Sequence, residues 1–304
     1  MSDLKLFRQQ GGALSDLPSS QAPLERALQT LFETNLETLL GVRFLASEYT
    51  TSHKGRMDTL GIDENGYPVI IEYKRDRSEN VINQGLFYLD WLMDHRGDFE
   101  ILVRDRFGKE AAQQIEWSAP RLICIAADFN RYDEHAVKQM GRNITLIRYK
   151  RFGDDLLLLE QLTEVSSSAQ PASVVNPDTG QVKVNKYKTV SEMMSDAGSD
   201  LANLYSDVET YLLGLGDDVT KKTLRFYFAF RRIKNFACVE VKTSLDVVRL
   251  YLKIDPDTVE LQDGFTRDVR NVGHFGTGDL EVTLRTHDHL ERAKPLITQS
   301  YEAS

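Results

Sequence analysis

Asp58, Glu72 and Lys74 are the residues of this chain whose types and spacing could do chemistry together. Thirteen residues separate Asp58 from Glu72-Tyr73-Lys74, and Val69-Ile70-Ile71 runs directly into Glu72. In an extended segment alternate side chains share a face, so Glu72 and Lys74 point one way while Ile71 and Tyr73 point the other. Burying a carboxylate and an ammonium among Val and Ile is costly unless each finds a partner. A divalent cation supplies a reason for such a cluster, because a hard ion takes oxygen ligands and neutralises neighbouring acids. The carboxylates of Asp58 and Glu72, with the Tyr73 carbonyl between Glu72 and Lys74, predict an oxygen-lined site for Mg2+ or Mn2+. Lys74 then orients or deprotonates the attacking water and stabilises a phosphorane-like transition state, while the cation polarises the scissile phosphate. The reaction class is phosphodiester hydrolysis. A surface ion-pair ladder on a half-exposed sheet is the plainer alternative, and the apolar run before Glu72 argues against it.

Those residues must be brought together by the elements around them. Arg56–Asp63 and Tyr67–Lys74 are strand-like runs joined by Glu64-Asn65-Gly66. Asn-Gly between two such runs is the strongest short-range hairpin signal, and the hairpin sets Asp58 beside Glu72. Asp63 and Glu64 read as turn residues. Before the hairpin, apolar residues from Leu24 to Leu40 recur with helical spacing, opened by Pro23 and closed by Gly41, and Val42–Thr50 has strand character. A helix from about Asn80 to His95 follows, then a third helical period at Phe107–Ile115. A strand at Arg121–Ala127, a helix at Asp133–Met140 and a closing strand pair at Ile144–Tyr149 and Leu156–Leu159 complete the first unit. Residues 1–165 are therefore one domain.

Ser-Ser-Ser, Pro171, Asn176-Pro177 and Gly180 mark residues 166–186 as a linker, and 187–304 as a second α/β unit of α+β type. That unit begins with a helix whose buried face runs from Leu201 to Leu215. Strands are expected at Thr223–Arg231, Phe236–Val241, Val247–Ile254 and Leu280–Arg285, with a final helix from His287 to Tyr301. On a strand Phe226, Phe228 and Phe230 share one face, so core packing explains them before base stacking does. Arg142, Arg148, Lys150 and Arg151 form a basic cluster that suits a DNA backbone or a solvated strand end. Tyr73 and Phe87 read as core.

Asp58, the hairpin and Glu72-Tyr73-Lys74 resemble the PD-(D/E)XK nuclease superfamily. Gly55-Arg56-Met57-Asp58 and Glu72-Tyr73-Lys74-Arg75 are most similar to the nuclease domain of the NucS/EndoMS endonucleases. Gln84 and Tyr88 resemble the QxxxY element of one branch, in which both side chains line the cleft. The resemblance spans roughly residues 20–150 and implies a restriction-endonuclease-like core, a mixed sheet flanked by helices. It implies a metal-dependent endonuclease acting on nucleic acid, with DNA as the expected substrate. Asp58, Glu72, Lys74, Gln84 and Tyr88 are its catalytic set, and Asp58, Glu72 and Tyr73 its metal ligands. Members also present an acid from the first helix; Glu25, Glu33, Glu37 and the following Glu48 are available, and Glu25 is chosen because it borders the apolar stripe. Met57 departs from the Pro of the superfamily pattern. Tyr227–Phe230, the Gly273–Asp279 loop and the last helix resemble a domain of unknown function found behind nuclease-like modules. A homodimer and a protein partner for the second unit are compatible with this organisation. A catalytically silent nuclease fold that binds nucleic acid or protein is the alternative.

Composition bounds the rest. Over 304 residues, 41% are hydrophobic and 27% charged, which excludes collagen-like and mostly disordered chains. Acidic residues number 46 against 37 basic, a formal net charge of −9, so a protein that coats duplex DNA electrostatically is disfavoured while an enzyme touching it over a small patch is not. Cys124 and Cys238 are the only cysteines, too few for a disulfide framework and without a CxxC pair, which points to a reducing, cytoplasmic setting. No apolar run reaches the roughly 20 residues of a membrane span, so no membrane partner is expected. His287 and His289 lack companions for zinc.

Overall fold

A computed structural model describes residues 4–22, 24–52, 55–77, 81–165 and 189–304; the expected linker and Pro23 lie outside them. The chain divides into two compact units, Met1–Gln170 and Pro171–Ser304.

The first unit starts with a hairpin, β1 (Leu6–Gln10) and β2 (Ala13–Leu17), followed by the short β3 (Ser19–Ser20). Gly11 and Gly12 close this hairpin, both at positive φ. The expected single helix is two, α1 (Glu25–Thr34) and α2 (Leu36–Leu40). They part at Asn35, whose side chain donates to the Leu31 carbonyl and competes with the helical ladder. Gly41 ends α2 in the left-handed region at φ 63°. Then come β4 (Val42–Thr50), β5 (Arg56–Asp63), β6 (Pro68–Arg77), α3 (Val81–Asp94), α4 (Arg96–Phe107), α5 (Lys109–Gln113), β7 (Arg121–Asp128), α6 (Arg131–Gln139), β8 (Asn143–Phe152) and β9 (Leu156–Val165). The period expected at Phe107–Ile115 is thus the end of α4 and all of α5. Only Phe99 and Val103 of α4 are buried, too few to write a stripe into the sequence.

The sheet runs β3-β8-β7-β6-β5-β4, with β9 also on β8. Strands β6, β7 and β8 are parallel, while β4-β5-β6 and β8-β9 are antiparallel, so the fold is a mixed sheet flanked by helices. Parallel neighbours need crossovers, supplied by α3 to α5 and by α6. Ile70, Leu122, Leu89 and Leu92 belong to the core on one face of the sheet. On the other face Phe32 of α1 packs against Tyr73, ring centroids 5.7 Å apart. Ile70 and Tyr73 have opposite parity on β6, so α1 and α3 cover opposite faces.

The second unit holds α7 (Val190–Ser195), α8 (Ser199–Leu213), β10 (Thr220–Thr223), β11 (Phe228–Arg231), β12 (Asn235–Lys242), β13 (Val247–Leu252), β14 (Thr266–Asp268), β15 (Leu280–Leu284) and α9 (His287–Glu302). Its sheet, β10-β11-β12-β13-β15-β14, is antiparallel throughout, as an α+β unit requires. The run expected as one strand over Thr223–Arg231 is a hairpin, and Phe226 sits in its turn, half-buried and stacked on Phe275 at 4.4 Å. Phe228 and Phe230 do join the core. His287 begins α9 and pairs with Asp207 at 2.7 Å. Among the described residues no helix is long and apolar enough to cross a membrane.

Candidate active site

Strand β6 pairs with β7 as far as Arg77↔Asp128, whereas the antiparallel ladder of β5 and β6 ends at Thr59↔Ile71. Beyond that point two carboxylates take over from the ladder. The Asp58 N–H donates to Glu72 Oε1 at 3.2 Å, and the Tyr73 N–H donates to Asp58 Oδ2 at 3.0 Å. Each acid thus binds the backbone beside the other, and the expected neighbourhood of Asp58 and Glu72 is met. A residue's N–H and C=O leave a strand on the same edge, so the Tyr73 carbonyl faces the same gap toward β5.

Glu72 has no exposed surface, and its Oε2 is buried without a hydrogen-bond partner. Burial first, and the Asp58 charge second, push its carboxyl up to about 9. Burial raises Asp58 as well, against the lowering effects of the Tyr73 N–H and the Lys74 ammonium. The exposed ion-pair ladder is therefore excluded at Glu72. The orphaned oxygen is what a hard cation would satisfy, and the oxygen set of Asp58, Glu72 and Tyr73 fits Mg2+ or Mn2+, which use one or two carboxylates and keep waters. Among the described residues no three His, Cys, Asp or Glu side chains gather as a fuller metal cage.

Lys74 lies on the face of Glu72, partly exposed. Its Nζ donates to Glu25 Oε1 at 3.1 Å, and Glu25 Oε2 accepts the Arg75 N–H at 3.1 Å. The first turn of α1 thus reaches the ends of the strands, and Glu25 is the first-helix acid that does so. Glu33 points elsewhere, accepting from Thr59 Oγ1 at 2.7 Å and Gln29 Nε2 at 3.0 Å. Glu37 is exposed on α2. Glu48 occupies the β4 position opposite Asp58 with a backbone φ of 54°, and it pairs with Arg26 at 2.9 Å and with Arg56.

Gln84 and Tyr88 face each other one helical turn apart on α3, Gln84 Nε2 donating to the Tyr88 hydroxyl at 3.1 Å. The same hydroxyl accepts the Arg56 N–H at 3.1 Å. Tyr88 is nearly buried and so acts on the start of β5, two residues before Asp58, while Gln84 remains half-exposed. Gln29 was not anticipated: buried at 4%, it donates to the Asp58 carbonyl at 2.8 Å. A polar residue inside an otherwise apolar helical stripe was the available signal.

Asp63 serves the turn as expected, accepting the N–H groups of Asn65 and Tyr67, and is also a buried anchor, pairing with Arg121 at 2.9 Å. Two expectations change. Arg148 is likewise buried, held by Asp128 and Glu160, so the basic cluster loses its central member. Phe87 is 53% exposed and no core residue, its ring 5.9 Å from that of Tyr88.

Residues 190–304 match a family described as a domain of unknown function, DUF5655. An uncharacterized protein of Haemophilus influenzae is 28% identical over 302 residues, spanning 98% of this chain and 99% of its own. Among solved structures, a repair endonuclease from Pyrococcus abyssi aligns with 18% identity and a TM-score of 0.28, over 42% of this chain and 48% of that one. EndoMS in its apo form aligns with 19% identity and a TM-score of 0.28, also over 42% and 48%. An EndoMS complex with double-stranded DNA aligns with 20% identity and a TM-score of 0.26, over 42% of this chain and 47% of its own. The chain thus spans under half the length of these endonuclease chains.

Proposed function

We propose that the first unit is a metal-dependent nuclease of the PD-(D/E)XK kind, hydrolysing phosphodiester bonds in DNA. The observation that carries this reading is Glu72, a fully buried carboxylate with one oxygen left unsatisfied beside a second carboxylate. Folding alone gives no motive for that arrangement, since an unpaired buried acid only costs stability. Asp58, Glu72 and the Tyr73 carbonyl would hold Mg2+ or Mn2+, which when bound neutralises the acids and polarises the scissile phosphate.

The protein's own groups do the rest. Glu72 is held by the Asp58 N–H and Asp58 by the Tyr73 N–H, so little reorganisation precedes the reaction. Lys74, kept beside them by Glu25, orients the attacking water and offsets the negative charge that develops on the phosphate oxygens. Gln84 presents its amide to the water or the phosphate, and Tyr88 positions the strand that carries Asp58. Gln29 fixes the Asp58 carbonyl from the opposite face of the sheet.

The test is cleavage of labelled single-stranded, duplex and forked DNAs and RNAs in Mg2+, Mn2+ or EDTA. Asp58→Ala, Glu72→Ala and Lys74→Ala are each expected to lower the rate by about 10²–10⁴-fold while the chain stays folded. Parental rates in all three variants would end the assignment.

A further inference from the structure

Arg26 and Arg56 converge on one carboxylate. Arg26 Nη1 meets Glu48 Oε1 at 2.9 Å and Arg56 Nε meets Glu48 Oε2, so the two guanidinium groups sit side by side on the two oxygens. Both arginine side chains are 65% exposed and Glu48 is 23% exposed. Glu48 holds this pose with a left-handed backbone, φ 54°, which a residue with a Cβ adopts only under constraint. Ion pairs this exposed contribute little to stability, so they do not account for the constraint. What the arrangement does provide is two fixed cationic forks. A guanidinium carries five N–H donors, and each fork spends one of them on Glu48.

Their place in the fold gives the forks a use. Arg56 and Asp58 share one face of β5, about 6.6 Å apart along the strand. Arg26 follows Glu25, the residue that holds Lys74. The neighbourhood carries Glu25, Glu48 and Asp58, a field that repels a polyanion unless cations at its edge receive it.

We infer that Arg26 and Arg56, set by Glu48, form a receiving site for a backbone phosphate of the nucleic-acid substrate, neighbouring the phosphate that the Asp58–Glu72 pair addresses. This rests on the nuclease reading and names how the same site grips its substrate. The phosphate docks on the outward N–H groups of both forks, a geometry that suits tetrahedral oxyanions. Glu48 stays in place as the brace.

The experiment is fluorescence anisotropy of a labelled DNA duplex with the full chain, in Ca2+ and across a salt series. Arg26→Gln and Arg56→Gln are each expected to weaken binding and to make the slope of log K against log salt shallower by about 0.9, the value for one lost phosphate contact. Arg26→Lys and Arg56→Lys keep the slope, and Glu48→Gln keeps it too, since both cations remain. Unchanged slopes in the two Gln variants overturn the inference, as does a parent that binds no duplex. A parent that binds with these slopes yet cleaves nothing in Mg2+ or Mn2+ leaves the receiving site standing and removes the nuclease reading. A cleaving parent with unaltered Gln variants does the reverse.

Discussion

The hairpin of β5 and β6 buries a carboxylate at each end, and the two are handled in opposite ways. At the turn, Asp63 Oδ1 accepts the N–H groups of Asn65 and Tyr67, and Oδ2 accepts from the buried guanidinium of Arg121 at 2.9 Å. Every requirement of that acid is met from within the chain. At the open end, Glu72 takes one backbone N–H on Oε1 and leaves Oε2 with nothing. The nearest ammonium, Lys74, is on Glu25 instead. On the nuclease reading proposed above, Glu72 is left short of a partner that a bound cation would supply.

Breaking the complete end should cost most. Arg121→Ala strands Asp63 in the core, and losing one partner of a buried pair destabilises by about 3–5 kcal/mol. Urea unfolding of the variant measures this. A loss under about 1 kcal/mol, the level of an exposed pair, would put Asp63 and Glu72 in one class and dissolve the contrast.

The incomplete end should reveal itself through pH. Glu72 is raised from 4.5 to about 9 in the folded chain, so between those values the folded state keeps a proton that the unfolded state has lost. Stability is then full below pH 4.5 and falls as pH rises toward 9, by at most about 1.4 kcal/mol per unit. Glu72→Gln should flatten that slope and be more stable than the parent at pH 8 in EDTA. Mn2+ at about 100 times its Kd should restore roughly 2.7 kcal/mol to the parent and nothing to Asp58→Asn, read as a rise in Tm. A parent whose Tm ignores both pH and Mn2+ would make Glu72 an ordinary core acid.

Much of this contrast was written locally and some was not. Asn65-Gly66 and the alternation through Val69–Lys74 are short-range signals, and they suffice to set Asp58 beside Glu72. The mixed sheet is what the nuclease resemblance implies, while the order of elements alone gives an α/β unit. The ion pair of Asp63 is not legible beside its turn role because its partner lies 58 positions away on β7, and a turn sequence carries no trace of that. The bracing role of Glu48 is illegible for a related reason: a positive φ at a residue other than glycine leaves no mark in composition, and Arg26 and Arg56 look like any surface cations. Helix α4 was missed because two buried residues in twelve do not make a period. The second unit was readable as architecture, but its Thr223–Arg231 run concealed a turn, since Phe226 looks like a strand residue until the chain is seen to reverse there.

The smallest effect separates positioning from chemistry. Tyr88 receives the Arg56 N–H and the Gln84 amide on one hydroxyl, and its ring packs where Gly55 leaves no room for a Cβ, which would lie 2.7 Å from the ring. Tyr88→Phe keeps the ring and deletes only the acceptor. The expected loss is about 1 kcal/mol of stability, the net worth of one such bond. If the hydroxyl acts by fixing the start of β5, kcat should fall several-fold with KM little changed, because Asp58 rides on that strand. Gln84→Ala removes the amide and leaves the Arg56 bond in place, so a larger kcat loss there than in Tyr88→Phe assigns the direct contact to Gln84. Equal losses in both variants would instead mean that the pair works only as a strut, and that the open end of the hairpin has no helper on α3.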